Sequence, residues 1–168
     1  MDKKKGDKRM DNSQYIGITE TSDPCFHLEI FDKLYVGNII ITKNLSNKLI
    51  EKLIEHKDKC ILHCTCTGFG GSKIEPFVPT LEQTVKKMEK LIDGGFPVKQ
   101  IVLRIDPIIP TAKGVDTALN VLEAFSEFGI ERVRISFIDM YQHVKERFEE
   151  NNVKLPFRNS FHASDSIR

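Results

Sequence analysis

The stretch NIIITKN, residues 38–44, largely decides how the rest of the chain is interpreted. Its continuous run of β-branched residues indicates a strand with both faces covered, as in parallel sheets. Lys43 and Asn44 follow this run directly, so a charged and an amide side chain are expected where the strand ends. The stretch therefore predicts a buried parallel strand with a polar carboxyl end.

Four further apolar runs accompany this strand, and each strand is followed by a stretch with helical spacing of its apolar residues. Strands are predicted at 15–19, 38–42, 60–67, 100–105 and 132–138, and the strand at 15–19 is also expected to be buried. Helices are predicted at 26–34, from 46 through 54, from 80 to 94, between 114 and 129, and at 140–150. The helix predicted from 80 to 94 begins with a Thr-x-x-Gln capping box at Thr80 and Gln83. Five strand–helix units in alternation favour a parallel sheet with right-handed crossovers.

Two parallel architectures are compatible with this alternation, a doubly wound sheet and a partial barrel. A dinucleotide-binding doubly wound fold needs a glycine fingerprint after the first strand, and residues 19–24 contain no glycine. Polar residues instead follow every strand, which is typical of the carboxyl-end site of β/α barrels. A complete eight-fold barrel takes about 250 residues, more than the 168 present. We therefore predict an α/β fold, an open, TIM-barrel-like partial (β/α) barrel of about five to six parallel strands.

Composition restricts the classes of function. A net charge of +1 argues against binding nucleic acid by bulk electrostatics, although it leaves a local basic groove open. No apolar run approaches the roughly 18 residues that span a membrane. Four cysteines, clustered in sequence, do not form a secreted disulfide framework in a chain of this length. A reducing, cytoplasmic setting is expected, with no membrane partner.

The chain divides into three predicted parts. Residues 1–13 carry five basic and three acidic side chains and are expected to be a disordered basic leader, or alternatively an arm that contacts an acidic partner. Residues 14–150 form the barrel domain. Residues 151–168 show no periodicity and are expected to be a C-terminal tail.

The candidate binding residues lie where the predicted strands end. Any one strand end is an ordinary solvated turn, but five at one edge of a sheet predict a shared ligand-binding edge. Lys43 is suited to a carboxylate or phosphate, and Glu75, held by Pro76, to hydrogen bonds from a ribose or an amine. The full set of predicted binding residues is Thr42, Lys43, Asn44, Thr67, Gly68, Glu75, Arg104, Asp106 and Pro107.

Some polar residues within the strands have more than one interpretation. Arg104 and Asp106 lie two apart and share a face, so they form an internal pair or divide ligand and structural roles. Cys60, Cys64 and Cys66 share another face, with His63 opposite. Small thiols packing the sheet are the favoured interpretation, since a zinc site usually needs four ligands. No metal site and no catalytic residue are predicted.

Several motifs together resemble a known superfamily. They are Ile40-Ile41-Thr42-Lys43-Asn44, Thr67-Gly68-Phe69-Gly70, Ile74-Glu75-Pro76, Gly94-Gly95-Phe96-Pro97-Val98 and Arg104-Ile105-Asp106-Pro107-Ile108-Ile109-Pro110. In order and spacing, residues 15–148 resemble radical S-adenosylmethionine proteins, in particular the spore photoproduct lyase-like branch and a related uncharacterised family. The resemblance implies S-adenosylmethionine bound across the carboxyl ends of the strands of a partial barrel and cleaved by a four-iron, four-sulfur cluster.

The same resemblance implies roles for individual residues. Thr42, Lys43 and Asn44 would line the end of the second strand. Thr67, Gly68 and Glu75 would approach the ribose or amino-acid moiety, and residues 107–110 the adenine.

The chain departs from the superfamily at its cluster motif. The Cys-x₃-Cys-x₂-Cys spacing usually follows the first strand, and residues 19–25 hold one cysteine, Cys25. The related uncharacterised family carries its cysteines near the C-terminus, beyond residue 168. S-adenosylmethionine is therefore an expected ligand, whereas a four-iron, four-sulfur cluster is not expected from this chain alone.

Four hypotheses of function follow. The leading one is a truncated, cluster-less barrel that binds S-adenosylmethionine or another nucleotide-like molecule as a binder or regulator. The alternative is a fragment or subunit of a radical enzyme, such as a DNA-repair-like lyase, whose cluster comes from missing sequence or a partner. The third is a non-redox enzyme using His63, Glu75, Arg104 or Asp106. The fourth is a scaffold that forms homo-oligomers through its open barrel edges.

Overall fold

One parallel sheet forms the centre of the protein in the computed structural model, which describes residues 15–166. Its strands are β1 (Ile16–Ile18), β2 (Gly37–Thr42), β3 (Cys60–Thr65), β4 (Ile101–Ile108) and β5 (Arg132–Phe137), in the spatial order 1-2-3-4-5. In a doubly wound sheet the strand order reverses at a switch point, whereas here each strand lies beside the next one along the chain. The predicted α/β fold, consistent with a partial open barrel, is confirmed. The predicted leader at 1–13 lies outside the described residues.

Four α-helices follow the later strands, namely α1 (Asn47–Glu55), α2 (Leu81–Asp93), α3 (Ala112–Ser126) and α4 (Gln142–Glu150). The predicted capping box of α2 is present, because the backbone amide of Gln83 donates to the Thr80 hydroxyl oxygen at 3.2 Å. The Thr80 amide donates in turn to the Gln83 side-chain carbonyl at 3.0 Å. None of the helices within residues 15–166 is both long and apolar enough to cross a membrane.

The two faces of the sheet have different neighbours. Ile40, Leu62 and Leu103 are fully buried with residues of α1, α2 and α3, and we call this side the helix-side face. Strand register places a second set of side chains on the opposite side, which we call the open face: Ile41, His63, Thr65, Val102, Arg104, Arg132 and Arg134. Alternation along the strands therefore separates an apolar core from a partly polar surface.

The segment before β2 differs from its prediction. The helix predicted at 26–34 is two short 3₁₀ helices, Pro24–Phe26 and Leu28–Lys33. His27 separates them, because its backbone (φ −136°, ψ 57°) is not helical. The expected burial of the first strand is also wrong. Ile16 and Ile18 of β1 are 72% and 52% exposed, because β1 has a single strand neighbour among residues 15–166.

Strand β4 and the C-terminal segment also differ from expectation. The strand does not end at residue 105, as predicted; it continues through Asp106 and Pro107 to Ile108. Strand β3, in contrast, ends at Thr65, two residues early. Beyond α4 the chain has no regular structure within the described residues, yet Phe157 and Ala163 are buried. They pack in a second apolar cluster with Ile109, Ile138, Met140 and Phe148.

Candidate functional site

A charged cluster joins the ends of two central strands. Lys43, directly after β2, places its ammonium 2.5 Å from one carboxylate oxygen of Glu75. The hydroxyl of Thr67, just beyond β3, donates to the other oxygen of Glu75. The Glu75 side chain is 15% exposed, so the carboxylate is largely withdrawn from water, and each of its two oxygens has one hydrogen-bond partner. Three predicted binding residues therefore meet in one cluster.

The glycine-containing loop explains how Glu75 reaches this position. The loop closes on itself, with the Gly71 amide donating to the Glu75 carbonyl at 2.9 Å and a bridge between Gly70 and Glu75. A Cβ on Gly70 would lie 1.8 Å from the Pro79 carbonyl oxygen, so only glycine fits there. At Gly70 the backbone therefore approaches the chain itself closely, and this contact fixes the position of Glu75.

A cleft of about 220 Å³ opens beside the Lys43–Glu75 pair, and we call it the apolar cleft. Lys43, Thr67 and Glu75 provide its polar groups, and Pro107 of β4 also lines it. Helix α4 closes one side with His143 and Arg147. The remaining lining residues are apolar: Phe69, Ile74, Ile109, Ile138, Val144 and Phe148. Apolar walls with a few convergent polar groups are the usual composition of a small-molecule site.

A wider cleft of about 510 Å³ lies on the other side of Lys43, and we call it the open cleft. It is lined by Thr19, Glu20, Ser22, Asp23, Ile41, Thr42, Lys43, Thr65, Arg104 and Asp106. Lys43 thus borders both clefts. Of the nine predicted binding residues, seven line one or both of them.

Asn44 and Gly68 line neither of these two clefts. The backbone amide of Asn44 donates to the Thr42 hydroxyl oxygen at 2.9 Å, which makes Asn44 part of the turn after β2. Gly68 has φ +77° and packs against α3, where an added Cβ would lie 2.4 Å from a methyl of Thr117. Both residues therefore shape the strand ends, and their predicted ligand contacts stay predictions.

Asp23 organises the end of β2, although the sequence indicated only a turn there. Its carboxylate accepts hydrogen bonds from the Thr42 hydroxyl at 2.7 Å and from the Lys43 amide at 2.8 Å. It also accepts from the Cys25 amide at 3.0 Å and so caps the short helix at Pro24–Phe26. An Asp before a proline is an N-cap signal, but its contact with a strand 19 residues away has no sequence signature.

Arg104 and Asp106 form the internal pair that their spacing allowed. Their side chains bond to each other, and the Ser136 hydroxyl donates to the second oxygen of Asp106. Burial on its own would raise the pKa of Asp106, but the hydrogen bonds from Ser136 and Arg104 outweigh it and hold that pKa below its usual value. Asp106 is therefore an ionised partner of Arg104 at neutral pH.

The cysteines take a structural position. Cys60, Cys64 and Cys66 are buried in the core of the helix-side face, and burial raises the pKa of Cys60 to about 11. Cys25 lies at the margin of that core, where burial is the largest cause of a pKa raised to about 12. These thiols pack with apolar side chains of the core, and we derive no step through an iron–sulfur group. Within residues 15–166, no group of three or more His, Cys, Asp and Glu side chains is arranged to hold a metal ion.

Helix α4 supplies the cleft residues that the sequence did not indicate. His143 and Arg147 are four apart and so lie on one side of the helix, facing the Lys43–Glu75 pair across the apolar cleft. In the sequence they belong to an ordinary charged amphipathic helix. Their location depends on the packing of Phe148 against Ile109 and Ile138 in the second apolar cluster.

Comparison with protein families gives one match. The family described as "Domain of unknown function (DUF1848)" matches residues 29–165, and the chain belongs to this family. The matched range includes β2 to β5, all lining residues of the apolar cleft and the described segment after α4 up to residue 165. It excludes the lining residues of the open cleft that precede residue 29. No curated protein and no solved structure matches the chain.

Proposed function

We propose that this chain binds S-adenosylmethionine or another nucleotide-like small molecule at the carboxyl ends of its strands, as a binder or regulator. The observation that carries the proposal is the convergence of Lys43, Thr67 and Glu75 on one cleft with apolar walls. A purine is flat and apolar with polar edges, and the sugar or amino-acid part of such a ligand is polar. The apolar cleft and its charged margin offer a matching division.

Glu75 retains capacity for a ligand despite its two partners. An ionised carboxylate has about four acceptor positions, and Lys43 and Thr67 occupy one on each oxygen. The remaining positions suit the two hydroxyls of a ribose or an ammonium group. Lys43 has three donors, and with one used on Glu75 the others are available to a ligand carboxylate or phosphate.

The size of the site also supports a nucleotide-like ligand. The apolar cleft of about 220 Å³ is smaller than a typical ligand pocket of about 300–1,000 Å³. Because Lys43 borders the open cleft as well, a ligand held at Lys43 has about 510 Å³ of further space beside it. We propose that the base lies against Pro107 and Ile109 and that the polar part extends past Lys43.

Isothermal titration calorimetry tests this proposal with S-adenosylmethionine, S-adenosylhomocysteine, adenosine and ATP on the folded chain. At least one should bind, and Glu75→Gln should weaken that affinity about tenfold, since it removes the charge while keeping the shape. Glu89→Gln, on the exposed surface of α2, is the matched control and should bind like the parent. Absence of heat with all four ligands, or equal loss in both variants, would contradict the proposal.

A second candidate, self-association through the open edges of the barrel, is favoured by the exposed side chains of the outer strands. Val133 and Ile135 of β5 are 46% and 56% exposed, and within the described part of the chain β5 pairs with one strand, β4. Exposed apolar edge strands are templates for pairing with another chain. Light scattering across a concentration series should show a dimer that Ile135→Lys converts to monomer; a monomer at all concentrations would contradict self-association.

A further inference from the structure

The open face carries arginines on two neighbouring strands. Register pairs Arg104 of β4 with Arg134 of β5, and Val102 with Arg132. Paired residues of parallel strands point to the same side, so all three guanidinium groups belong to the open face. The two residues of β5 are two positions apart, which separates their Cα atoms by about 6.6 Å. This arrangement concentrates positive charge at one side of the barrel interior.

The charges on this face are only partly compensated. Arg104 has Asp106 as its counter-ion. Arg132 donates to the carbonyl oxygen of Lys99, a contact that satisfies a donor but leaves the charge. Among residues 15–166, no ion pair joins Arg132 or Arg134 to a carboxylate. Glu20 borders the open cleft from the β1 side, at the opposite edge of the sheet. Two positive charges therefore remain next to the Arg104–Asp106 pair.

Two buried polar atoms of the same face have no hydrogen-bond partner within the described residues. They are Nε of Arg104 and Nδ1 of His63, and register places His63 beside Val102 in the row of Arg132. A buried polar atom without a partner is costly and is normally satisfied by water or a ligand. Burial first, and then the charges of the three arginines, lower the pKa of His63. The imidazole is thus neutral at pH 7 and able to donate or accept one hydrogen bond.

We propose that Arg132 and Arg134, with Arg104 and His63 beside them, bind a phosphate group of a small phosphate ester. A guanidinium presents paired donors that match phosphate oxygens in bidentate geometry. A phosphomonoester carries about −1.5 to −2 charges at pH 7, which matches the two uncompensated charges. The net charge of +1 supplies no extended field for a polynucleotide, so the observations favour a small ester. Arg132 and Arg134 line neither the apolar nor the open cleft, although Arg104 borders the open cleft, so the phosphate proposal stands on residues that the proposed function does not use.

Amide chemical-shift titration with methyl phosphate, at constant ionic strength in chloride, tests the site directly. Saturating shifts are expected at 104–106 and 132–136. Arg134→Ala should weaken the affinity about tenfold. Arg134→Lys should have an affinity between those of the parent and Arg134→Ala, because lysine keeps the charge but lacks the paired N–H donors of the guanidinium. Arg134 is exposed, so these variants should stay folded. Arg158→Ala, an exposed arginine after α4, is the matched control and should bind like the parent.

Titrations with other anions test whether the site is selective for a phosphate group. Inorganic phosphate should bind at the same residues, and succinate should bind at least tenfold more weakly. Equal binding of succinate, shifts that do not saturate, unchanged affinity in Arg134→Ala, or much tighter binding of a single-stranded oligonucleotide would overturn the proposal. Glu75→Gln should leave methyl phosphate binding intact, so failure of the nucleotide site and failure of this site are separate results.

Discussion

The helix-side face and the open face of the sheet are built from alternate residues of the same strands, yet they differ in almost every physical property. Leu62 and Leu103 are buried under helices, whereas their direct neighbours His63 and Arg104 lie on the other side with unsatisfied polar atoms. A one-residue step therefore separates a position in the apolar core from a position on the partly polar open face. The difference shows that the apolar core and the buried polar side chains are divided by face and not by segment of the chain.

The division is not simply apolar against polar. Ile16 and Ile18 belong to the edge strand and are exposed, so apolar residues also occur where no helix covers the sheet. Conversely, the helix-side face contains the polar Asn38, whose side-chain amide donates to the backbone carbonyl oxygens of Tyr35 and Lys59, both at 3.0 Å. What distinguishes the faces in the central strands β2 to β4 is the presence of a covering layer, and the following predictions test its consequences.

The largest expected effect is protection of the three core thiols from a thiolate-directed reagent. Raising the pKa of Cys60 from 9.0 to about 11 lowers its thiolate fraction about a hundredfold, and its burial adds to the protection. Ellman's reagent at pH 8 should therefore label Cys60, Cys64 and Cys66 at least a hundredfold more slowly in the folded chain than in urea.

A cysteine placed on the surface is the control for this measurement. Ser164→Cys adds an exposed thiol, which should react at once in the folded chain. Rapid labelling of the three strand thiols without denaturant would mean that the helix-side face is not covered as described.

The next largest effect is on the free energy of unfolding, and two isoleucines provide a matched pair. Ile40→Ala removes a side chain that is 1% exposed on the helix-side face and should cost about 3 kcal/mol by urea denaturation. Ile18→Ala removes the same atoms from the exposed edge strand and should cost less than about 1 kcal/mol. Equal costs for the two variants would remove the basis of the comparison between faces.

The smallest effect concerns the open face, where hydrogen bonds to Asp106 replace packing. Ser136→Ala removes one donor to the carboxylate and should cost about 1 kcal/mol at pH 7. Because the folded-state pKa of Asp106 is lowered, its stabilising contribution is present above the unfolded value of about 3.9 and is lost as pH falls through the folded value.

Urea denaturation from pH 7 to pH 2 measures this linkage. The parent should lose more stability than Ser136→Ala below about pH 4, so that the two converge in acid. Ser164→Ala, whose hydroxyl contacts Ser166, is the control and should parallel the parent at every pH. Parallel curves for parent and Ser136→Ala would show that Asp106 is not stabilised in its ionised form.

Sequence periodicity predicts the positions of the strands well because the β-branched runs are local, whereas the predicted ends of β3 and β4 differ from the structure by two and three residues. The alternation of strand and helix, together with the absence of glycine from residues 19–24, also favours the observed barrel-like order over a doubly wound sheet. It fails for β1, because the same apolar run fits a buried strand or an edge strand. It fails at 26–34 as well, where apolar spacing resembles that of an α-helix but His27 interrupts it.

The candidate site is only partly predictable for a related reason. Lys43, Thr67 and Glu75 could be proposed from their positions after strands, because parallel strands end at one edge. His143 and Arg147 could not, since their approach depends on how α4 packs against residues far away in sequence. Arg134 was missed because an arginine in an edge strand is ordinary until register places it beside Arg104.

Amide chemical-shift mapping with S-adenosylmethionine tests the central claim most directly, namely that the carboxyl edge of the sheet is the nucleotide-binding part of the molecule. The largest saturating shifts should occur at Lys43, Thr67, Glu75 and 108–109. Shifts concentrated at the opposite ends of the strands, or none at millimolar ligand with the chain folded, would contradict it.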